Sequence, residues 1–476
     1  MANFLNKFFH IEERGSTISK ELLGGLTTFL ALFYILPVNS GILSNLNFND
    51  GLSHTEFGAI FLATALASGI TTLLMGLYAN YPVALSSSMG INAFIAFTIC
   101  KGAGFGYGEA MALTFLAGII FFIISVTPVR EKITNAIPKN FKIAIAAGIG
   151  FFICFIGLKN SGIIVANEST YVGLGDFKKI PVLMAICGFL LVLFLGHFKN
   201  KKVSQFAVII SLFILGIISA SIGQITLALK GEEALKAIDM PTFYDSSFSY
   251  SALTSFKDVF LLAFKEGFVT FTKPEAYAML FALVFVNFFD TTGTLVAVGS
   301  EANLIDKDGK LIGAKRALMV DSFGTSLGGI FGTTGISSFV ESTAGISVGA
   351  RTGLSSVVVA ILFFLSILIY PALGMFGFTP SGLSPVTSIA LIYVGTIMFK
   401  NLKDIDWNDG VAVASGFITI IMMILSYSIC DGIAFGFISY TIMSLASGNA
   451  KKISPLMYII SILFIGYYVL KFTVLV

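Results

Sequence analysis

Two interrupted apolar stretches decide the fold of this 476-residue chain: Leu85-Ser-Ser-Ser-Met-Gly-Ile-Asn92 and Gly335-Ile-Ser-Ser-Phe-Val-Glu341. Each stretch places serine and glycine inside an apolar segment and ends on a strongly polar side chain, Asn92 or Glu341. Broken backbone at membrane depth needs protein or water partners, because lipid offers no hydrogen bonds. Corresponding broken segments in the two halves of a membrane chain are typical of a substrate site near the bilayer midplane.

The composition is that of a polytopic membrane protein. Hydrophobic residues make up 56% of the chain and charged residues only 12%, whereas a soluble domain is about 25% charged. The net charge is +3 and no basic run suggests nucleic acid. Four separate cysteines and three scattered histidines give no pattern for metal ligation or nucleophilic catalysis, and no phosphate-binding loop occurs. We therefore expect no enzymatic activity, no metal, no cofactor and no nucleic-acid partner.

The spacing of apolar segments predicts an all-α protein with about 14 transmembrane segments, since a spanning helix needs roughly 20 apolar residues. The segments lie near 22–44, 58–78, 84–99, 108–126, 141–158, 180–196, 203–225, 275–298, 315–332, 333–348, 352–372, 384–400, 409–428, 430–447 and 454–475. The short segments 84–99 and 333–348 are each third in their half. This layout predicts a 7+7 repeat, inverted because the number per repeat is odd. The number of crossings after residue 409 stays open.

The distribution of basic residues predicts a cytoplasmic N-terminus. Lysine and arginine concentrate in the 127–142, 197–203 and 299–316 loops, whereas the 45–57 and 373–383 loops carry none. Basic loops stay in the cytoplasm in multi-pass proteins. We expect a multi-pass protein of the plasma (inner) membrane.

Asp290 is the first candidate for a functional side chain. It lies in the middle of an apolar span, with Asn287 three residues before it and Thr294 four residues after it, so the three share one helical face. A carboxylate at the centre of a span costs about 2.5–3.5 kcal/mol on insertion scales and usually faces a cavity or pathway. The alternative is a purely structural network of hydrogen bonds between helices.

Two further candidates follow the interrupted stretches. Glu341 falls in the first turn of a half-helix that begins near Ser338, where free N–H groups stabilise a carboxylate; a simple capping box is the alternative. Asn92 follows Gly90, and its amide can donate and accept at once, as recognition of a planar heterocycle requires. An interhelical hydrogen bond is the alternative for Asn92. Thr28 lies in a glycine-rich first span and is typical of close helix packing.

At these residues the sequence resembles the nucleobase–cation symporter, or nucleobase-ascorbate transporter, superfamily, and most of all its AzgA-like branch of hypoxanthine, adenine and guanine permeases. The segments that carry the resemblance are Gly24-Gly-Leu-Thr-Thr-Phe-Leu-Ala-Leu-Phe-Tyr-Ile35, Met89-Gly-Ile-Asn-Ala-Phe94, Phe288-Phe-Asp-Thr-Thr-Gly-Thr-Leu295 and Ser338-Phe-Val-Glu-Ser-Thr-Ala-Gly-Ile346. The layout of spans extends the resemblance over nearly the whole chain.

The resemblance implies a core domain and a gate domain, each built from both repeats, and a homodimer formed through the gate domains. The implied divisions are a cytoplasmic segment 1–20, core halves 21–126 and 275–372, gate halves 127–225 and 373–476, and a polar inter-repeat stretch 226–274. The two short third segments are similar to the family's strand-plus-half-helix elements.

The resemblance also implies roles for single residues. Asn92 matches the family's purine-contacting asparagine, Glu341 its purine-binding glutamate, and Asp290 the second of two acids one helical turn apart. The first of those acids is Asn287 here. In addition, Ser87-Ser88 stands where relatives often have Pro-Gly.

Taken together, the residues and the resemblance predict import of purine nucleobases (hypoxanthine, guanine and/or adenine) by proton symport with elevator-like alternating access. Glu341 would accept two adjacent N–H groups of the base and Asn92 and Asn287 would bind its remaining edge, with Phe94 or Phe289 against the ring. Asp290 is the first candidate for the coupling proton and Glu341 the second, and sodium stays an alternative ion. We assign supporting roles to Gly90, Ser338, Thr28 and Thr294.

Four other functions compete with purine symport. A channel is one of them, although a seven-plus-seven inverted layout favours alternating access. The same fold could carry uracil, xanthine or another small solute. An anion transporter is disfavoured, because the centre holds Asp290 and Glu341 and no lysine or arginine. An integral membrane enzyme is a remote alternative, because no catalytic constellation is visible.

Overall fold

A computed structural model describes residues 2–44, 56–127, 138–200, 203–204, 206–243, 249–304, 311–376, 379, 381–448 and 453–474. This part of the chain is mostly helical. Seven of its helices, or eight when one bent pair is counted as a span, are long and apolar enough to cross a membrane.

The first half begins with a short helix and continues through paired and broken spans. Its elements are α1 Ala2–Phe9, α2 Ile18–Leu32, α3 Ile35–Ser44, α4 Phe57–Leu74, β1 Leu85–Ser87, α5 Met89–Ala93, α6 Tyr107–Val126, α7 Lys139–Asn160, β2 Ile164–Asn167, β3 Tyr171–Leu174, α8 Ile180–Gly196 and α9 Ala207–Ile238. Helices α4 and α5 continue as π-helical turns to Ala79 and Gly102.

The second half follows four short helical turns. These turns are Tyr250–Ser255, Phe256–Val259, Leu262–Lys265 and Gly267–Thr272. The remaining elements are α10 Pro274–Glu301, α11 Ala314–Phe331, β4 Ile336–Ser338, α12 Ser342–Val348, α13 Gly353–Ser366 with a 3-10 continuation Ile367–Phe376, α14 Thr387–Phe399, a 3-10 turn Lys400–Asp404, α15 Gly410–Leu425, α16 Ile429–Ala446 and α17 Pro455–Val474.

The first predicted span is broken in two. Helix α2 ends at Leu32 and α3 begins at Ile35, so Phe33 and Tyr34 lie between them. Pro37 explains the break, because proline has no N–H to donate to the carbonyl of Phe33 and its ring clashes with that carbonyl. The two helices together still form one candidate span, Ile18–Ser44, at the position of the predicted segment 22–44.

Two other segments differ from the sequence prediction. Helix α9 continues to Ile238, well into the polar stretch 226–274, because that part of the stretch is rich in leucine, lysine, glutamate and alanine. It kinks at Gly231, whose φ of +82° is left-handed. The exposed hairpin of β2 and β3 was not predicted at all.

The long apolar run after residue 409 folds back on itself. Helices α15 and α16 are separated at Tyr427, which has a φ of +56°. They run antiparallel, since Gly432 contacts Met423 and Gly436 contacts Thr419. Two packed helices therefore form this run, at the positions of the predicted segments 409–428 and 430–447.

Strands β1 and β4 join the two halves of the chain at their broken segments. They are antiparallel, with Leu85 opposite Ser338 and Ser87 opposite Ile336. All six strand residues are buried. A short helix follows each strand, so the predicted interruptions of both apolar segments are confirmed, and the two interruptions form one ribbon.

Helices from the two halves pack closely around this ribbon. Helix α6 lies against α11, and α13 lies against α2 and α4. Small residues permit the approach: a Cβ on Gly118 would lie 2.3 Å from the backbone nitrogen of Ser326. A second set of contacts joins α7 to α14 and α15, and α15 to α16.

Candidate functional site

The ribbon of β1 and β4 places the starts of two short helices side by side. The ladder is extended at both ends, by Ser88 N donating to the carbonyl of Gly335 (3.0 Å) and by Phe339 N donating to the carbonyl of Ala84 (3.0 Å). Helix α5 begins one residue after Ser88, and α12 begins directly after Glu341. The polar groups of both interrupted stretches therefore meet at one depth of the molecule.

Asp290 of α10 reaches this ribbon. The hydroxyl of Ser88 donates to Asp290 Oδ2 at 2.6 Å, which is the length of a charge-assisted O–H···O⁻ bond. Asp290 is only partly buried, although the residues around it are among the most enclosed of the chain. The second-half carboxylate thus contacts the turn between β1 and α5 of the first half.

Glu341 stands at the N-terminus of α12 in a helical backbone conformation (φ −59°, ψ −14°). The hydroxyl of Tyr34, at the break between α2 and α3, donates to Glu341 Oε1 at 2.6 Å. The capping-box alternative does not describe the structure, because Ser338 donates to Asp321 and the Glu341 side chain makes no capping bond. Like Asp290, Glu341 keeps part of its surface accessible.

Asn92 is fully buried and bound on one side only. Its Nδ2 donates to Asn39 Oδ1 at 2.5 Å, while its Oδ1 has no hydrogen-bond partner among the described residues. Asn39 donates in turn to the hydroxyls of Thr64 (2.8 Å) and Thr333 (3.0 Å) and accepts from Ser87 (2.7 Å). The hydrogen bonds of Asn39 therefore fix which end of the Asn92 amide is free.

Asn287 repeats this arrangement on α10. Its Nδ2 donates to Thr325 Oγ1 at 2.7 Å, and its Oδ1 is buried without a partner in the described part of the chain. Leaving such an acceptor unpaired costs about 1–3 kcal/mol. Two buried amide oxygens, on Asn92 and Asn287, thus lack a hydrogen-bond partner among the described residues.

Asp321 is a site residue that the sequence analysis did not single out. It is fully buried and accepts from Ser338 N (2.8 Å), Ser338 Oγ (2.6 Å) and Thr291 Oγ1 (2.5 Å). A spacing signal was present, since Asn287 and Thr291 are four residues apart on α10, and Asp321 and Thr325 are four apart on α11. Each pair forms one polar face, and the two faces bond to each other.

The other predicted residues occupy different surroundings. Phe94 is buried in the apolar core, whereas the side chain of Phe289 lies outside the described residues. Thr294 is partly buried on α10. A Cβ on Gly90 would lie 3.6 Å from Ile149 and from Ile429, so the start of α5 faces α7 and α16.

Thr28 joins two close-packed elements. A Cβ on Gly345 of α12 would lie only 2.2 Å from Thr28 Oγ1, so Thr28 contacts the half-helix that follows Glu341. This contact fits the packing interpretation of the small and hydroxyl residues of the first span.

The chemistry of the site is that of neutral and acidic acceptors and of hydroxyl donors. The hydrogen bonds made by Asn92, Asn287, Asp290, Asp321 and Glu341 involve no lysine or arginine side chain among the described residues. Among those residues, no group of three His, Cys, Asp or Glu side chains is arranged to hold a metal ion. Such a site suits an uncharged, planar ligand rich in N–H groups.

Comparison with protein families gives one match over most of the chain. Residues 19–435 match the Xan_ur_permease model, described as the Permease family. Among solved structures, the transmembrane domain of the cyanobacterial bicarbonate transporter BicA has a TM-score of 0.57 and 16% identity, covering 87% of this chain and 96% of that one. At that identity the likeness concerns the fold alone.

Curated relatives match along their full length. The guanine/hypoxanthine permease PbuG of Bacillus subtilis (strain 168) is 38% identical over 98% of this chain and 99% of its own. The adenine permease AdeP of Escherichia coli (strain K12) is 35% identical over 97% of this chain and 95% of its own.

Proposed function

The chain belongs to the Permease family, the nucleobase-ascorbate transporter family, and from this membership we propose that it imports purine nucleobases: hypoxanthine, guanine and/or adenine. It is a multi-pass membrane permease and not an enzyme. The substrates named for PbuG and AdeP support purines over other cargo.

One observation supports a nucleobase site above all: two partly accessible carboxylates and two buried, unpaired amide oxygens surround a single ribbon. A purine presents N–H donors around a flat ring. Glu341 accepts two adjacent N–H groups, and the free oxygens of Asn92 and Asn287 accept from the remaining edge. A site built in this way rejects ligands that leave its groups unpaired, by up to about 10⁴–10⁵-fold in favourable cases.

Proton symport is the proposed source of energy. Asp290 is the first candidate for the coupling proton, since it contacts Ser88 across the two halves, and Glu341 is the second. Moving one charge through 100 mV supplies about 2.3 kcal/mol, which corresponds to roughly 50-fold accumulation.

The proposed mechanism is elevator-like alternating access by a core domain (21–126 and 275–372) against a gate domain (127–225 and 373–476). The contacts of α6 with α11, and of α13 with α2 and α4, lie in the proposed core. The contacts of α7 with α14 and α15, and of α15 with α16, lie in the proposed gate, and these two sets support the division. The antiparallel register of β1 and β4 supports a 7+7 inverted repeat of about 14 segments. We also propose a plasma (inner) membrane location, a cytoplasmic N-terminus and a homodimer through the gate domains.

The test is uptake into proteoliposomes under an imposed pH gradient, acid outside. Labelled hypoxanthine, guanine and adenine are compared with uracil, xanthine and bicarbonate, each with and without a sodium gradient. The proposal predicts purine accumulation that a protonophore abolishes. Uptake of uracil or bicarbonate in place of purines would overturn the assigned substrate, and accumulation driven only by sodium would overturn proton coupling.

A further inference from the structure

Tyr34 occupies the one position of the first span where the helix is interrupted. It is buried, with 3% of its surface exposed, and lies between α2 and α3 because Pro37 prevents a continuous helix. The Tyr34 hydroxyl reaches Glu341 Oε1 at 2.6 Å, although the two residues are 307 positions apart.

Helix α3, which begins directly after Tyr34, is held in place by its own polar contacts. Asn39 uses both N–H groups and its oxygen, bonding to Thr64, Thr333, Ser87 and Asn92. These partners belong to α4, β1, α5 and the segment before β4. Because α3 is fixed to the ribbon, the position of the Tyr34 hydroxyl is fixed as well.

A glutamate side chain that is free to rotate loses conformational entropy when it binds a ligand. A donor already bound to Oε1 holds the carboxylate in one orientation, while Oε2 and the second lone pair of Oε1 stay available. The Tyr34 bond is short enough to be charge-assisted, so it favours one direction for the carboxylate before any ligand arrives.

We propose that Tyr34 is a positioning residue of the nucleobase site: its hydroxyl orients the Glu341 carboxylate for the base. This inference rests on the proposed function and adds to it a residue that the motif resemblance did not assign a role. Tyr34 acts through Glu341, so its contribution to affinity exists only while that carboxylate is present.

A double-mutant cycle tests the inference. Dissociation constants for guanine, hypoxanthine and adenine are measured by calorimetry on purified wild-type protein, Tyr34→Phe, Glu341→Gln and the double variant. Tyr34→Phe is expected to weaken binding by roughly tenfold, from the loss of one hydrogen bond to a charged group. In the Glu341→Gln background the same change is expected to alter binding by less than about twofold, because the two effects share one interaction.

Tyr427→Phe is the matched control. Tyr427 is also largely buried, but its hydroxyl has no hydrogen-bond partner among the described residues. Removing that hydroxyl is expected to leave the dissociation constants within about twofold in both backgrounds, whereas a general sensitivity to tyrosine replacement would lower affinity for both variants.

The outcomes separate the two proposals. Wild-type protein that binds none of the three purines overturns the proposed function. Wild-type protein that binds a purine, with equal losses from Tyr34→Phe in both backgrounds, overturns the positioning role, because an additive loss means that Tyr34 does not act through Glu341. Unchanged binding by Tyr34→Phe overturns it as well.

Discussion

Strands β1 and β4 have the same length and are equally buried, but the side chains that anchor them by hydrogen bonds differ in charge. Strand β1 is held by neutral groups: Thr72 Oγ1 bonds to both the N–H and the carbonyl of Leu85 at 2.9 Å, and Ser68 bonds to Ser86. Strand β4 is held by a carboxylate, since Asp321 accepts from the backbone and hydroxyl of Ser338. The first half therefore supplies a neutral frame at the ribbon, and the second half supplies the groups that can change charge.

This difference bears on the proposed proton coupling. Asp290, Asp321 and Glu341 all come from the second half. Asp290 accepts from Ser88 and Glu341 from Tyr34, both of the first half, whereas Asp321 accepts from donors of its own half. A proton taken up by Asp290 or Glu341 would weaken bonds that cross between the halves. Thr72 is neutral and does not titrate, so the hydrogen bonds that hold β1 in place do not depend on pH.

The largest expected effect comes from removing the charged anchor. Asp321→Ala leaves the N–H of Ser338 buried without an acceptor, and we expect it to lower the free energy of unfolding by about 3 kcal/mol or more. Thermal unfolding in detergent measures this loss. Asp258→Ala, at an exposed position, is the control and should change stability by less than about 0.5 kcal/mol. An equally mild effect of Asp321→Ala would remove the distinction between the strands.

The second effect concerns ligand affinity. Glu341→Gln replaces one acceptor oxygen with an NH₂ donor group. Because this group then faces either the N–H groups of the base or the hydroxyl of Tyr34, we expect purine binding to weaken by about 100-fold. Calorimetry with guanine measures it, and Glu266→Gln, an exposed change outside the site, should leave affinity unaltered. Affinity retained by Glu341→Gln would place the ligand elsewhere.

The smallest effect is expected on the neutral side. Thr72→Val keeps nearly the same volume but removes the hydroxyl that bonds to Leu85, so the N–H of Leu85 loses its acceptor. We expect a loss of about 1–2 kcal/mol in stability, smaller than for Asp321→Ala because both lost partners are neutral. The pH dependence of purine uptake should stay as in the wild type, since Thr72 carries no titratable group. A shifted pH profile for Thr72→Val would show that the first half takes part in coupling.

The main features of the fold follow from local sequence patterns. Apolar length predicts most spans to within a few residues, and the serine and glycine residues of 85–92 and 335–341 predict the interruptions. Asn92, Asp290 and Glu341 stand out because a polar group inside an apolar span is costly. These are properties that a single segment shows without its neighbours.

The remaining site residues depend on contacts between segments. Tyr34 sits in an apolar run, and nothing in that run indicates its contact with Glu341, which is 307 positions away. Asn39 is polar but its role comes from four different elements meeting at one point. Asp321 was not singled out, because its burial depends on how α11 packs against β4 and bonds to α10.

The most direct test of a second-half coupling group is Asp290→Asn in proteoliposomes, assayed twice. Counterflow exchange of labelled hypoxanthine needs the binding site but no proton gradient, and uptake under a pH gradient needs both. We predict that Asp290→Asn retains counterflow and loses accumulation above the external concentration. Accumulation that stays gradient-driven in Asp290→Asn would contradict this prediction and remove Asp290 from proton coupling.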